Sequence, residues 1–207
     1  SNAGLIYPAA ASAITLQVMM TGGLHLDGLA DTADGFFSCR EKEKILEIMK
    51  DSRIGTNGAL AVIILIMIKF SILVSVNTEY AVYYLVAVPV AARMTITWCA
   101  AVSSYARPGN GMGKSIVEGS GIRSVVVSTI VAFVITVAIF RFRIILLPVL
   151  VLSSAGCFAL LCSLYSSRKI RGITGDVIGA VVEVTEIIIY ALLLALETIP
   201  VSGGMLP

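Results

Sequence analysis

Six apolar runs of near twenty residues, at about 5–25, 57–76, 80–103, 123–140, 143–163 and 176–197, decide most of what this 207-residue chain can become. A helix rising about 1.5 Å per residue crosses a hydrocarbon layer of about 30 Å in roughly twenty residues. Inside that layer the backbone finds no water, so its N–H and C=O groups must pair within the segment, which a helix does. The composition agrees: 57% of residues are hydrophobic and 14% charged, against roughly 25% charged in an ordinary soluble domain. Mean hydropathy is +0.95. The expectation is an all-α, polytopic transmembrane helix bundle of about six spans. Pro89 and Pro148 fall inside spans, where neighbouring helices absorb a kink. A net charge of +2, with no basic run interleaved with aromatics, argues against nucleic acid as a partner. Cys39, Cys99, Cys157 and Cys162 lack zinc spacing, and the last three sit in apolar stretches, as reduced, packed thiols do. Ser1-Asn2-Ala3 reads as a tag remnant, which leaves 4–207 as one integral membrane domain.

Charge placement orients the spans. Residues 36–56 contain Glu41-Lys42-Glu43-Lys44-Ile45-Leu46-Glu47-Ile48-Met49-Lys50, which reads as a short interfacial amphipathic helix. Arg40, Lys42, Lys44, Lys50 and Arg53 lie between the first two spans. Arg107, Lys114 and Arg123 follow the third, and Arg168, Lys169 and Arg171 follow the fifth. Together these loops hold eleven of the fifteen basic residues, while the turn after the fourth span has Arg141 and Arg143. By the positive-inside rule the first, third and fifth loops are cytoplasmic. Every polar motif lies in or beside them, as a site assembled from separate helices requires.

Four such motifs carry chemistry. In Gly22-Gly23-Leu24-His25-Leu26-Asp27-Gly28-Leu29-Ala30-Asp31-Thr32-Ala33-Asp34-Gly35, the three aspartates recur at i, i+4 and i+7, so one helix face presents them all. Carboxylates so crowded repel unless a cation or protons neutralise them, and a hard divalent metal is the economical solution. Lys50-Asp51-Ser52-Arg53-Ile54-Gly55-Thr56-Asn57-Gly58 adds a fourth carboxylate, two cations suited to phosphate oxygens and a polar Asn57. Tyr105-Ala106-Arg107-Pro108-Gly109, with Gly111-Met112-Gly113-Lys114 beyond it, is a basic glycine-rich loop without Walker spacing. Gly172-Ile173-Thr174-Gly175-Asp176 leads into the last span, where Asp176 and Glu183 lie about 20° apart on the helix and Glu186 on the same side. Glutamates inside a span mark function by default or pair with intramembrane cations, of which Lys69 and Arg93 are available. His25, the only histidine, is a candidate ligand, base or hydrogen-bond donor.

The first two motifs, followed by Tyr105-Ala106-Arg107-Pro108 and Gly172-Ile173-Thr174-Gly175-Asp176 in order, closely resemble those of the cobalamin synthase (adenosylcobinamide-GDP ribazoletransferase) family. The resemblance covers about residues 5–197. It implies a late step of vitamin B12 assembly at the cytoplasmic (inner) membrane. α-Ribazole, or its 5′-phosphate, attacks the phosphate attached to the cobinamide of adenosylcobinamide-GDP, GMP leaves, and Mg²⁺ is required. Members of that family usually carry a further hydrophobic region ahead of the acidic motif, so the resemblance implies that this region is missing or reduced. Membrane lipid is the other expected partner, with a homo-oligomer as an allowed assembly.

Phosphodiester exchange needs charge neutralised and a nucleophile aligned, with little covalent chemistry from the protein. The corresponding assignment has Asp27, Asp31, Asp34 and Asp51 on Mg²⁺, and Lys50, Arg53, Asn57, Arg107 and Lys114 on phosphate or substrate. Asp176, Glu183 and Glu186 shape the substrate cavity, and Asp34 or His25 takes the proton. Two other readings compete. One is a membrane phosphotransferase of the CDP-alcohol type, whose Asp-Gly, two residues, Ala-Arg pattern this chain departs from at Asp31. The other is an ion-coupled transporter lined by Lys69, Arg93, Glu183 and Glu186, although no internal repeat is visible.

Overall fold

Gly22 and Gly23 divide the first apolar run in two. In the computed structural model, which describes residues 2–109, 112–140 and 146–197, both glycines are left-handed, with φ of +60° and +75°. Helix α1 (Ile6–Thr21) therefore stops, its end closed by Gly22 N–H to Met19 O and Gly23 N–H to Val18 O at 3.1 and 3.0 Å. The acidic motif starts afresh as its own helix, α2 (Leu24–Phe36). The turn carrying Arg141 and Arg143, and the tail from 198, lie outside the described residues.

The remaining elements are α3 (Lys42–Ile48), α4 (Thr56–Ser75), α5 (Thr78–Ala101), α6 (Met112–Gly119), α7 (Ile122–Ile139), α8 (Leu146–Ile170) and α9 (Gly175–Glu197). The fold is all-α. Among the described residues five helices, α4, α5, α7, α8 and α9, are long and apolar enough to cross a membrane, and α1 is a shorter apolar helix. The fifth apolar run extends as α8 to Ile170, so Arg168 and Lys169 form its last turn, where cations suit the helix dipole. Pro148 falls in the first turn of α8, where no intrahelical N–H is lost.

Helix α9 is the most enclosed of the five. The outer faces of α4 and α7 are the opposite: Leu60, Ile63, Ile64, Met67, Val127, Ile130 and Val134 are exposed, as side chains facing hydrocarbon would be. One buried cluster joins α5, α8 and α9 through Tyr84, Val88, Val151, Tyr190 and Leu193. A second, at the other end, includes Phe36, Ile45, Met49, Ile170, Ile173 and Ile178. Helix α3 is amphipathic as expected, but its apolar side, Ile45, Leu46 and Met49, packs into this second cluster of the protein itself.

The three basic loops meet at that end. Ala106 N–H donates to Ile173 O at 2.9 Å and Ile173 N–H to Ser104 O at 2.8 Å, joining the third loop to the fifth. Arg107 Nη2 reaches Met49 O at 3.0 Å, joining the third to the first, and Lys169 Nζ donates to Phe36 O. Beneath them, α2 and α9 touch backbone to backbone. A Cβ on Gly28 would stand 2.7 Å from the Asp176 carbonyl oxygen and 2.9 Å from its Cα, and one on Gly179 would stand 3.2 Å from His25 Cα.

Those distances leave no room for a methyl group, because backbone cannot swing aside as a side-chain tip can. Gly28→Ala is expected to destabilise the chain by roughly 1–3 kcal/mol. Gly119→Ala, with no atom within 4 Å of the new Cβ, stays within about 0.5 kcal/mol. Thermal unfolding of the two variants in the same detergent checks the contrast.

Candidate functional site

The three aspartates of α2 share a face, as their spacing predicts, but they have different surroundings. Asp34 is a clamp. Gly55 N–H donates to its Oδ2 at 2.7 Å and Gly58 N–H to its Oδ1 at 2.8 Å. The carboxylate thus sits on the open N–H groups at the start of α4, where a negative charge is favoured. A Cβ at either position would displace the Asp34 carboxylate from this seat, and at Gly58 it would also stand 2.8 Å from the Ala30 carbonyl oxygen.

Asp27 is exposed and Asp31 half-buried, and among the described residues neither has a hydrogen-bond or ion-pair partner. The Asp31 carboxyl is pushed up to about 7, chiefly by burial, then by the charges of Asp176, Asp27 and Asp34 working against Arg107. A half-buried carboxylate under that pressure is poised to take up a proton or a cation near neutral pH.

Asp176 enters from α9. Thr174 caps that helix through its Oγ1 and the Val177 N–H at 3.3 Å. Arg107 Nη2 then approaches Asp176 Oδ2 to 2.6 Å. Beside this pair lies a cavity of ≈ 320 Å³. Its lining includes the polar residues His25, Lys50, Tyr105, Arg107 and Asp176 and the apolar residues Ile96, Met112, Ile116 and Ile178. His25 Nδ1 and Arg107 Nε are enclosed there without a hydrogen-bond partner among the described residues. Burial, then the Arg93 charge, lowers the His25 pKa from its ordinary value of 6.5, so the imidazole is neutral at pH 7. A second, more open hollow of ≈ 630 Å³ is lined by Gly22, Gly23, Asp27, Ala30, Ile54 and Val62.

The other residues singled out in the sequence fall into three places. Asp51 is turned to Arg53, whose Nε and Nη2 approach its carboxylate oxygens to 2.9 and 2.6 Å. These hydrogen bonds hold the Asp51 carboxyl at about 2. Asp51 is not among the charges acting on Asp31. Asn57 is exposed on the first turn of α4. Lys114 faces Glu118 along α6 at 3.8 Å and does not line the cavity, although its neighbour Gly113 does.

Glu183 and Glu186 are spoken for inside the bundle. Lys69 Nζ, from α4, lies 2.9 Å from Glu183 Oε2 and 2.7 Å from Glu186 Oε2, and Arg93, from α5, meets Glu186 Oε1. Lys69, Glu183 and Glu186 are buried. The group balances two positive charges with two negative ones, which is what allows it to be buried at all. Pairing, one of the two readings open for these glutamates, is the observed state.

Among the described residues no three Asp, Glu, His or Cys side chains converge as a ready metal cage. Mg²⁺ seldom needs one, since it keeps several waters and uses one or two carboxylates plus substrate phosphates. Asp27 and Asp31, on successive turns and without partners, fit that donor set. Asp34 and Asp51 already hold N–H groups. The isoleucines of the cavity lining are what sequence reasoning missed: in a chain so rich in apolar residues, nothing local distinguishes Ile96, Ile116 or Ile178. Met112 alone fell within a motif, the glycine-rich loop that leads into α6.

Comparison with known proteins adds a family. A family model described as cobalamin-5-phosphate synthase matches residues 3–194. The adenosylcobinamide-GDP ribazoletransferase of Fusobacterium nucleatum is 39% identical over 204 residues, covering 89% of this chain and 73% of that protein. The protein of the same name from Clostridium acetobutylicum is 42% identical over 172 residues, covering 82% and 66%. That from Caldanaerobacter subterraneus is 39% identical over 178 residues, covering 86% and 70%. The chain thus spans about two thirds to three quarters of these relatives. No solved structure matches it.

The buried charge group has a sharp mutational signature. Lys69→Met leaves two glutamates facing one arginine and is expected to cost about 3–5 kcal/mol. Lys69→Met combined with Glu183→Gln restores the balance and recovers much of that loss, a non-additivity that a double-mutant cycle of unfolding free energies measures.

Proposed function

This chain belongs to the cobalamin-5-phosphate synthase family, and from that premise we propose that it is a Mg²⁺-dependent adenosylcobinamide-GDP ribazoletransferase of the cytoplasmic (inner) membrane, its site facing the cytoplasm. α-Ribazole or its 5′-phosphate is the acceptor. An acceptor hydroxyl oxygen bonds to the phosphorus attached to the cobinamide, the bond from that phosphorus to GMP breaks, and the hydroxyl proton passes to a base. The product is adenosylcobalamin or its 5′-phosphate.

One observation carries the reading: Asp27 and Asp31, without partners among the described residues, stand on the helix that brings His25 into the lining of a cavity that also presents Lys50 and Arg107. Negative groups for a cation and positive groups for phosphate side by side are what a pyrophosphate substrate requires. When bound by Asp27 and Asp31, Mg²⁺ would supply charge neutralisation at the pyrophosphate. Lys50 and Arg107 orient the anionic substrate from the cavity side, Arg107 being aimed by Asp176 and the Met49 carbonyl. His25, neutral at pH 7 and in the cavity lining, is the better placed of the two proton acceptors. Asp34 instead positions α4 against α2 through Gly55 and Gly58.

The clustering of Arg107, Lys50 and Lys169 with the meeting loops supports a cytoplasmic orientation by the positive-inside rule. A transporter path built on Lys69, Arg93, Glu183 and Glu186 has less support, because these side chains are bound to one another.

Purified protein given adenosylcobinamide-GDP, α-ribazole and Mg²⁺ should yield cobalamin and GMP, detected by mass spectrometry, and a metal-free control should not. Asp31→Ala should lower GMP release by roughly 10²–10³-fold, the usual loss for an electrostatic stabiliser of the transition state. Asp51→Ala should remain near the unsubstituted rate. Near-normal turnover of Asp31→Ala at low Mg²⁺ would overturn the metal assignment.

A further inference from the structure

We propose that the ≈ 320 Å³ cavity between α2, α5, α6 and α9 is the acceptor pocket, that it takes a ribonucleoside with an apolar fused-ring base, and that Ile96, Met112 and Ile116 make it prefer such a base over guanine. This inference rests on the ribazoletransferase reading and adds which substrate sits where, and why.

Size makes the first distinction. The cavity lies at the lower end of the range for small-molecule pockets, about 300–1,000 Å³. A nucleoside fits it, and a corrin macrocycle with its side chains does not. A second, more open hollow of ≈ 630 Å³, lined by Asp27 and Ala30 of α2 with Ile54 and Val62, leaves a separate approach for the bulky donor. Two reactants can then approach α2 through two different hollows.

Wall chemistry makes the second. Ile96 comes from α5, Met112 and Ile116 from α6, and Ile178 from α9. These side chains offer no hydrogen bond to an exocyclic oxo or amino group. Guanine buried against them would leave its Watson–Crick edge unmatched, a defect that weakens binding by roughly 10–100-fold. A benzimidazole-type base has no such edge and loses nothing there.

The polar lining residues give the orientation. Among the described residues His25 Nδ1 and Arg107 Nε are enclosed without a hydrogen-bond partner, and Lys50 and Asp176 belong to the same lining. Ribose hydroxyls and a phosphate supply the missing hydrogen bonds, whereas a base inserted the other way would not. The sugar therefore faces α2, because Asp176, in the same lining, has its backbone against Gly28 of the helix that carries Asp27 and Asp31. The reacting hydroxyl is thereby placed toward the carboxylates while the base rests against Ile96, Met112 and Ile116.

The test compares ligands on the full chain in lipid nanodiscs. By equilibrium dialysis, Ile116→Trp should weaken α-ribazole binding by about tenfold or more while GMP binding changes less than about twofold. In turnover the same variant should raise the KM for α-ribazole and leave that for adenosylcobinamide-GDP unchanged. Ile116 is partly exposed and Met112 more so, at 39% and 73%. Met112→Trp therefore repeats the test from the same wall should Ile116→Trp fold poorly, and retained GMP binding reports the fold. With no substitution at all, excess GMP should fail to displace α-ribazole. Displacement by GMP, loss of GMP binding with α-ribazole retained, or no effect of a folded variant on either ligand overturns the pocket assignment. If the unsubstituted chain makes cobalamin while the folded variants keep their α-ribazole KM, the pocket is wrong and the function stands. If it binds α-ribazole selectively in this cavity yet forms no cobalamin, the function is wrong and the pocket stands.

Discussion

The close approach of α2 to α9 is the constraint on which the rest of this molecule depends. Gly28 lies against the Asp176 backbone and Gly179 against that of His25, so the two helices meet without side chains between them. Small residues serve this purpose in membrane bundles, where hydrocarbon offers no hydrophobic reward for association and close packing must supply the attraction. The contact places Asp176 beside Asp31 and sets His25 at the edge of a cavity. It also explains the cost in helix propensity that glycine imposes at position 28, since any larger residue would push the carboxylates apart.

Acidic residues of the same types meet opposite fates in this frame. Glu183 and Glu186 are buried and neutralised by Lys69 and Arg93, a group that ties α4, α5 and α9 together. Asp34 and Asp51 are satisfied locally, one by backbone N–H groups and the other by Arg53. Among the described residues, Asp27 and Asp31 alone of the acids of the first two motifs are left without a partner. Paired and unpaired carboxylates are separated by whether a donor faces them. Spacing along the chain does not show that.

Much of the architecture was nevertheless legible. Runs of apolar residues announced the long helices, and the i, i+4, i+7 spacing put Asp27, Asp31 and Asp34 on one face. The basic loops were expected to gather, and the hydrogen bonds of Ala106 and Ile173 and of Arg107 with Met49 bring them together. Less legible was the break at Gly22–Gly23, because two glycines inside an apolar run read equally as packing positions or as a helix end. The division of the basic residues between cavity and surface was not legible either. Lys50 and Arg53 are three residues apart, yet Lys50 lines the cavity and Arg53 is turned outward to Asp51.

By itself the sequence determined that the chain forms apolar helices, that its charged loops gather at one end, and that its acidic motifs resemble those of a cobalamin-synthesis transferase. These are local properties: hydropathy, periodicity and motif identity act within a few turns of helix. Tertiary structure alone decided which acids are paired, where the cavity opens, and that Ile96, Met112, Ile116 and Ile178, from three different helices, make one wall. Those outcomes depend on which backbones approach closely enough to share a space. That is settled by packing between residues as distant in the chain as Gly28 and Asp176, and no stretch of sequence encodes it alone.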